Sequence, residues 1–433
     1  MQELKIVAPD PKIHRDQLID LVARTFNTYW TMRQYCLDGY VNDSNYDWAS
    51  SRIGLVGDTI VSHFGVYDFT MRVANRTGSA SGNRPGKVAG SPSRVPASPS
   101  ALRLAGIGIV ATHRDYRGHG YMARVAEACV DGLASAGYDV TLLFGIRNFY
   151  HRFGYTPAWA EPTWKLQWKN LPTEPPKWPI AEFSGDVAKL AGFYNRENSD
   201  VTGTIVRPGY LRNRAPKEFR IVTWSEGKSA GSGRTGYLIT QTSDDVLDYV
   251  DGAGDTGQTL RVLAQIAAAE RSQQVRFRGL PWHGKLAAAL RLLNCSVEED
   301  YVPNGSAMIR TVNLSSTLSK ISPVLAARLA TSRFATWRGE LSLSDGRESG
   351  VLRVSPGTVT FEPDANAGRR RKPKLTGENR VQANDHFARL IIGGGDPLEI
   401  AVQAGFVMKG EAPDLLSAMF PAQRPSIPTW DRF

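Results

Sequence analysis

Cysteine is scarce in this chain. Only three occur among 433 residues, and Cys36, Cys129 and Cys295 stand far apart. That spacing excludes a disulfide framework and any paired-cysteine metal knuckle, so reduced thiols are expected and no metal. Runs of about 18 apolar residues are also missing, so no membrane-spanning helix is expected. The opening stretch MQELKIVAPDPKIHRDQ lacks the apolar segment of a secretory signal. A soluble cytoplasmic protein with no membrane partner is the expectation. The string GxxxxGK[ST] is absent, which removes the P-loop nucleotide hydrolases. What is present is basic: 52 Lys and Arg against 42 Asp and Glu, a formal net charge of +10. Such a surplus permits anionic partners and says nothing about fold. The length allows roughly three domains of about 150 residues.

Hydropathy patterning divides the chain into recurring blocks. A strand, LKIVA, precedes an amphipathic helix over 17–26. The runs RIGLV and TIVSHFGVYDFTMRV flank Gly57-Asp58 as an antiparallel hairpin. Residues 75–100 are rich in Gly, Ser and Pro without apolar period and read as a loop between strands. Lacking aromatics, that loop is a poor nucleic-acid platform. LAGIGIVAT reads as a strand buried on both faces. Met122, Val125, Ala126, Cys129, Val130 and Leu133 then form one helical stripe, with Gly137 at the helix end and DVTLLF as the next strand. Strand, helix and strand within about forty residues predict a parallel pair with a right-handed crossover.

The same grammar returns over 160–312: a helix near 187–195, strands FRIVTW, GYLITQT and VLDYV, a Gly-rich turn, the helix TLRVLAQIAAAE and the strand QVRFRG. From about Asn313 the pattern is a helix (SPVLAARLA), the strands GELSLSD, GVLRVS and TVTFEP, and a basic loop, AGRRRKPK. The helices HFARLII and APDLLSAMF follow, separated by a short strand, FVMKGE.

The turn RDYRGHGYM, residues 114–122, lies between a strand and a helix start. Unsatisfied amides point outward there and the helix dipole adds partial positive charge. Gly118 and Gly120 remove the Cβ atoms that keep a phosphate away, and Arg114 and Arg117 supply neutralising charge. A polar surface turn is the plainer alternative. A dinucleotide fingerprint matches formally from Gly118 to Ala123. However, five polar residues, His113 to Arg117, separate it from the strand, and Gly145, Ile146 and Arg147 stand where its acidic ribose ligand belongs.

RGHGYM resembles motif A of the Gcn5-related N-acetyltransferases (GNAT), [QR]-x-x-G-x-[GA], with Arg117 and Gly120 in register and Met122 departing from the small residue. FYHRFGYTPAW, residues 149–159, resembles the segment of the enhanced intracellular survival (Eis) acetyltransferases in which a tyrosine precedes R-F-G-Y. The resemblance implies an α/β fold with mixed sheets: a catalytic GNAT domain over 1–160, a degenerate second GNAT-like domain over 161–312, and a sterol-carrier-protein-2-like α+β domain over 313–433. It implies acetyl-CoA as the donor. Val110, Ala111 and Thr112 would lie along its pantetheine arm, and Arg117, Gly118, His119, Gly120, Tyr121, Met122 and Gly145 would make further contacts. It also implies Tyr150 as general acid toward the CoA sulfur and the α-carboxylate of Phe433 as general base. The acceptor would be an aminoglycoside, a polyamine or a lysine-like amine. A homo-oligomer is expected, a hexamer by family habit, with nucleic acid an unlikely partner.

Alternatives remain at this level. Tyr150 is also a plausible core aromatic, Phe433 an ordinary frayed end, and His151 a competing base. GAGDTG, residues 252–257, matches G-x-G-x-x-G, but Asp251 and Asp255 put negative charge where a diphosphate would sit. It reads as the turn of a repeat that no longer binds a nucleotide. The five aspartates of SDDVLDYVDGAGD read either as a solvated acidic loop or as a wall of the acceptor cleft. A lipid carrier and a tRNA-dependent aminoacyl transferase stay open as other functions.

Overall fold

The computed structural model describes residues 3–26, 33, 45–75, 100–207, 219–226, 233–364 and 375–433. Cys36, the Gly/Ser/Pro-rich segment beyond Asn75, and the basic loop AGRRRKPK lie outside them. The first block comprises β1 (Leu4–Val7), α1 (Arg15–Thr25), β2 (Arg52–Val56), β3 (Thr59–Val73), β4 (Ser100–Thr112), α2 (Tyr121–Leu133), β5 (Val140–Gly145) and β6 (Thr156–Pro157). The second runs through β7 (Glu161–Gln167), β8 (Ile180–Glu182), α3 (Ala191–Glu197), β9 (Phe219–Trp224), β10 (Gly236–Ser243), β11 (Val246–Ala253), α4 (Thr256–Ala269), β12 (Gln274–Arg278), α5 (Lys285–Leu290), β13 (Cys295–Asp300) and β14 (Ser306–Thr311). The last comprises α6 (Leu314–Ala330), β15 (Gly339–Ser344), β16 (Ser349–Ser355), β17 (Thr358–Pro363), β18 (Arg380–Gln382), α7 (Phe387–Ile391), α8 (Pro397–Gln403), β19 (Val407–Lys409) and α9 (Ala412–Met419).

Among the described residues the strands form three mixed sheets, in the orders β1-β2-β3-β4-β5-β14-β6, β13-β7-β12-β11-β10-β9-β8 and β17-β16-β15-β18-β19. The mixed α/β class expected from the sequence is the one observed. The first two sheets are interleaved along the chain. Strand β14, late in the second block, pairs antiparallel with β5 and β6 of the first sheet. Closing one sheet with a strand from far downstream ties the two blocks together covalently and by hydrogen bonds.

The stripe of α2 is buried in full, from Met122 to Leu133. Each fully buried Val or Leu there contributes roughly 1.5–3 kcal/mol, which locks the helix across β3 and β4. The other face of the first sheet shares a core with the third through α6, whose Leu318, Ile321 and Leu325 are fully buried beside Leu104, Leu142 and Leu352. Asp139, fully buried, staples this junction: its carboxylate accepts from the Arg103 amide at 2.6 Å, Ser316 Oγ at 2.6 Å and Lys320 Nζ at 2.6 Å.

Two expectations about α-helix ends need correcting. The helix expected from Ser322 begins at Leu314, because Asn313 caps it through Ser316 N at 2.8 Å and Glu348 accepts from Leu314 N. Pro323 therefore sits inside the helix. Helix α2 ends at Leu133, and Gly137, with φ of 84°, shapes the turn that follows.

Candidate active site

β4 and β5 run in parallel register from Leu104↔Val140 to Ile107↔Leu143 and then part. Gly108 onward stays on β3, whereas Phe144 and Gly145 stay on β14. The fork has a local cause. The register of β3 on β4 shifts between His63 and Gly65, and Ile109 takes a φ of 49°. A β-branched residue in the left-handed region costs on the order of 1–2 kcal/mol, so something must hold it. The Ile109 carbonyl accepts from His63 Nδ1 at 2.8 Å, and His63 Nε2 meets the Tyr46 hydroxyl at 2.8 Å. A carbonyl only accepts, so Nδ1 carries the proton and Nε2 accepts from Tyr46. His63 is fully buried, and burial pulls its pKa down to about 4, which keeps the ring neutral.

Beyond the bulge, Val110 and Thr112 line the fork half-buried, and Ala111 is buried. A short helical turn, Arg114–Tyr116, leads to Gly118 and Gly120, with φ of 81° and 73°. Gly120 caps α2 with no side chain, leaving the first amides of the helix without an intrahelical acceptor. A Cβ built on either glycine meets nothing within 4 Å, so it would project into the open space an anion needs. Arg114, Arg117 and His119 are exposed around that space. Arg117 Nε lies 3.5 Å from the Thr112 carbonyl, and the His119 ring stacks on Tyr121 at 5.5 Å. These residues fit a diphosphate: fixed amide donors, a helix dipole and the exposed guanidiniums of Arg114 and Arg117 at one rim. Met122 contributes at most its amide, because its side chain turns into the core, with Sδ 3.8 Å from Ser62 Oγ.

Tyr150 opens a short helical turn after β5 and is buried. Its ring lies against Gly145, where an added Cβ would fall 2.5 Å from the ring. Gly145 is therefore the seat of Tyr150. Phe149 packs edge-on at 4.8 Å, and burial lifts the Tyr150 hydroxyl to a pKa of about 12.

Phe433 reaches the fork from the other side of the sheet. An added Cβ at Gly106 would fall 2.7 Å from its ring, and one at Gly108 would fall 2.8 Å from its terminal carbon. The ring sits between Phe69, at 5.1 Å, and Phe144, at 5.7 Å. Successive strand residues face opposite sides, so Gly106 and Gly108 present one face while Ile107 presents the other. Tyr150 packs with Ile107 and Leu143, and Phe433 with the opposite core. The fork thus has a phenol on one face and the Phe433 terminus on the other.

Sequence reasoning missed Gly106, Gly108 and His63. Two glycines two apart within a strand are the signal for close approach by another group, and Gly106-Ile107-Gly108 carries it. Nothing local marks His63. Other candidates fall elsewhere. His151 is exposed and lines a separate cavity with Asn384, Asp385 and His386. Cys129 is fully buried, and burial pushes its thiol up to about 12. The aspartate-rich stretch is neither a loop nor an open acidic wall. Much of it is β11, with Asp248 paired to Arg276 at 2.6 Å and Asp251 buried against Arg207 at 2.5 Å.

Residues 86–158 match the profile of the acetyltransferase (GNAT) domain. Solved structures align over the entire chain. A GCN5-related N-acetyltransferase from Kribbella flavida is 15% identical, with a TM-score of 0.68, covering 100% of this chain and 99% of that one. A conserved protein from Enterococcus faecalis V583, described as a probable N-acyltransferase, is 15% identical, with a TM-score of 0.72 and 100% of both chains covered. Eis1 from Mycobacterium abscessus is 14% identical, with a TM-score of 0.60 and 100% of both covered. No curated protein matches. At these identities the structural likeness establishes the fold, a GNAT acetyltransferase fold with a further α+β unit.

Proposed function

We propose that this chain is an acetyl-CoA-dependent N-acetyltransferase of the Eis type, acting on a primary amine. In this reading it is built from a catalytic GNAT domain, a degenerate second one and a sterol-carrier-protein-2-like unit, works in the cytoplasm and assembles as a homo-oligomer. The observation that carries the reading is the fork: an open glycine cradle at one end, with Tyr150 and Phe433 on opposite faces where β4 and β5 separate.

The donor would lie along Val110–Thr112 with its diphosphate on the amides of 118–122, and it supplies a thioester as the acetyl source. An amine attacks only when neutral, and deprotonating one of pKa near 10 at pH 7 costs roughly 4 kcal/mol. In this reading the α-carboxylate of Phe433 takes that proton, directly or through water. Its terminal carbon sits against Gly108, anchored there by the Phe433 ring between Phe69 and Phe144. Tyr150, kept protonated by burial, donates to the sulfur as charge builds there. A phenol near 12 is a weaker acid than a thiol near 8.5. Full transfer is thus uphill, and Tyr150 acts chiefly as a hydrogen-bond donor to the developing thiolate. The acceptor class, an aminoglycoside, polyamine or lysine side chain, follows from the Eis likeness.

Calorimetry with acetyl-CoA and thiol release across a panel of such amines test the proposal together. Micromolar binding with amine-dependent release supports it, and no binding at saturating acetyl-CoA rejects it.

A further inference from the structure

The route of the last residues to the fork is itself built. Ser426 Oγ donates to the Gly279 carbonyl at 2.7 Å, and Trp430 packs edge-on against Phe219 at 5.2 Å. Asp431 is fully buried on Arg207, with Nε 2.9 Å from Oδ1 and Nη2 3.0 Å from Oδ2. The remaining guanidinium nitrogen of Arg207 donates to Asp251 Oδ2 at 2.5 Å and meets the Tyr237 hydroxyl at 3.1 Å. The Tyr194 ring lies 3.4 Å from the guanidinium carbon. Asn195 fixes the backbone of Arg207 from both sides, at 3.0 Å each, and takes a further 2.7 Å bond from Arg72 of β3. The second sheet and the terminal segment therefore meet at one guanidinium, and the first sheet joins at the backbone of the same residue through Asn195.

Asp431 stands two residues before Phe433, a tether of at most ~7 Å. Between them Arg432 donates to Glu161 at 2.5 Å and its guanidinium lies 4.5 Å from the Phe144 ring. Simple burial of the tail would not need a planar, two-pronged grip, which fixes direction as well as distance. We propose that Arg207 is a positioning residue that, through Asp431, sets the terminal carboxylate of Phe433 on Gly108 at the fork. The inference rests on the reading in which that carboxylate receives the amine proton.

The test uses Asp431→Asn, which keeps the shape and leaves Arg207 paired with Asp251, so the chain should fold. Thermal melting of the full chain checks that. Carboxypeptidase A reads where Phe433 sits, independently of catalysis: release of Phe433 should accelerate at least tenfold over the unaltered chain. With acetyl-CoA and spermidine or kanamycin as acceptor, kcat should fall at least tenfold while acetyl-CoA affinity stays within twofold. Adding one glycine after Phe433 in the Asp431→Asn background should then lower kcat no further than that glycine does alone, because both changes act through one carboxylate. Release at the unaltered rate, or losses that simply multiply, would overturn the positioning role and leave the acetyltransferase reading standing. Faster release with unchanged kcat would instead overturn the carboxylate's role in proton transfer. Arg207→Lys gives a second check: a point charge without the fork should also free the tail.

Discussion

Both halves of the molecule carry a parallel strand pair that keeps register for four residues and then parts, Leu104–Ile107 on Val140–Leu143 and Val246–Tyr249 on Gln274–Phe277. In both, a register shift with the preceding antiparallel strand marks the departure. The ends differ. After β4 the chain makes a turn whose glycines face open space and whose helix has no side-chain cap. After β11, Asp255 caps α4 with its own carboxylate, 2.7 Å from Gln258 N. A Cβ at Gly254 would fall 2.9 Å from Gly236 Cα, so protein already fills that side. The terminal segment lies against the far strand of the second fork: a Cβ at Gly279 would fall 2.8 Å from the Ile427 carbonyl oxygen and 3.0 Å from Pro428 Cα, and Pro428 forms part of the wall of a cavity that Asp251, Gly252, Gly254 and Gly279 also line. One tail borders the second fork and ends in the first. Two similar strand forks therefore differ in their ends: the first has an uncapped glycine turn facing open space, and the second has a carboxylate cap and the tail along one wall.

That contrast can be tested at several strengths. The largest effect is expected from one glycine added after Phe433, which moves the carboxylate off Gly108: kcat should fall a hundredfold or more while acetyl-CoA affinity holds. Tyr150→Phe should lower kcat by about 10- to 100-fold, again with affinity unchanged, in the same thiol-release assay. Arg117→Ala should weaken acetyl-CoA about five- to thirtyfold by calorimetry with little change in kcat, the loss of one charge-assisted contact. Arg261→Ala, beside Gly257 of the second glycine turn, should change nothing in that titration. The smallest effect is expected from Asp255→Ala: about 1 kcal/mol of stability lost with the cap, read as a lower denaturation midpoint, and unaltered acetyl-CoA affinity.

What was legible in the sequence follows the range of the forces involved. The α2 stripe, the β2–β3 hairpin and the parallel β4–β5 pair are local patterns set by periodicity and turn chemistry, and they stand where expected. The glycine turn stands between a strand and a helix start as expected, because Gly118 and Gly120 supply the positive φ that the turn needs. Strand β14 was not assigned to the first sheet, since its partner β5 lies some 160 residues upstream and nothing local encodes that pairing. Helix α8 was missed although Asp396 caps it and Pro397 opens it, a start signal overlooked among glycines. Arg207 and Asp431 are 224 residues apart. Only the fold reveals that one arginine and two aspartates form a single buried cluster.

The central claim, that the first fork holds the donor and the second does not, is tested most directly by a crystal structure grown with coenzyme A. The account predicts one molecule per chain, its diphosphate against the amides of residues 118–122 and its thiol between Tyr150 and Phe433. Coenzyme A seated on residues 252–257, or absent at saturating concentration, would contradict it.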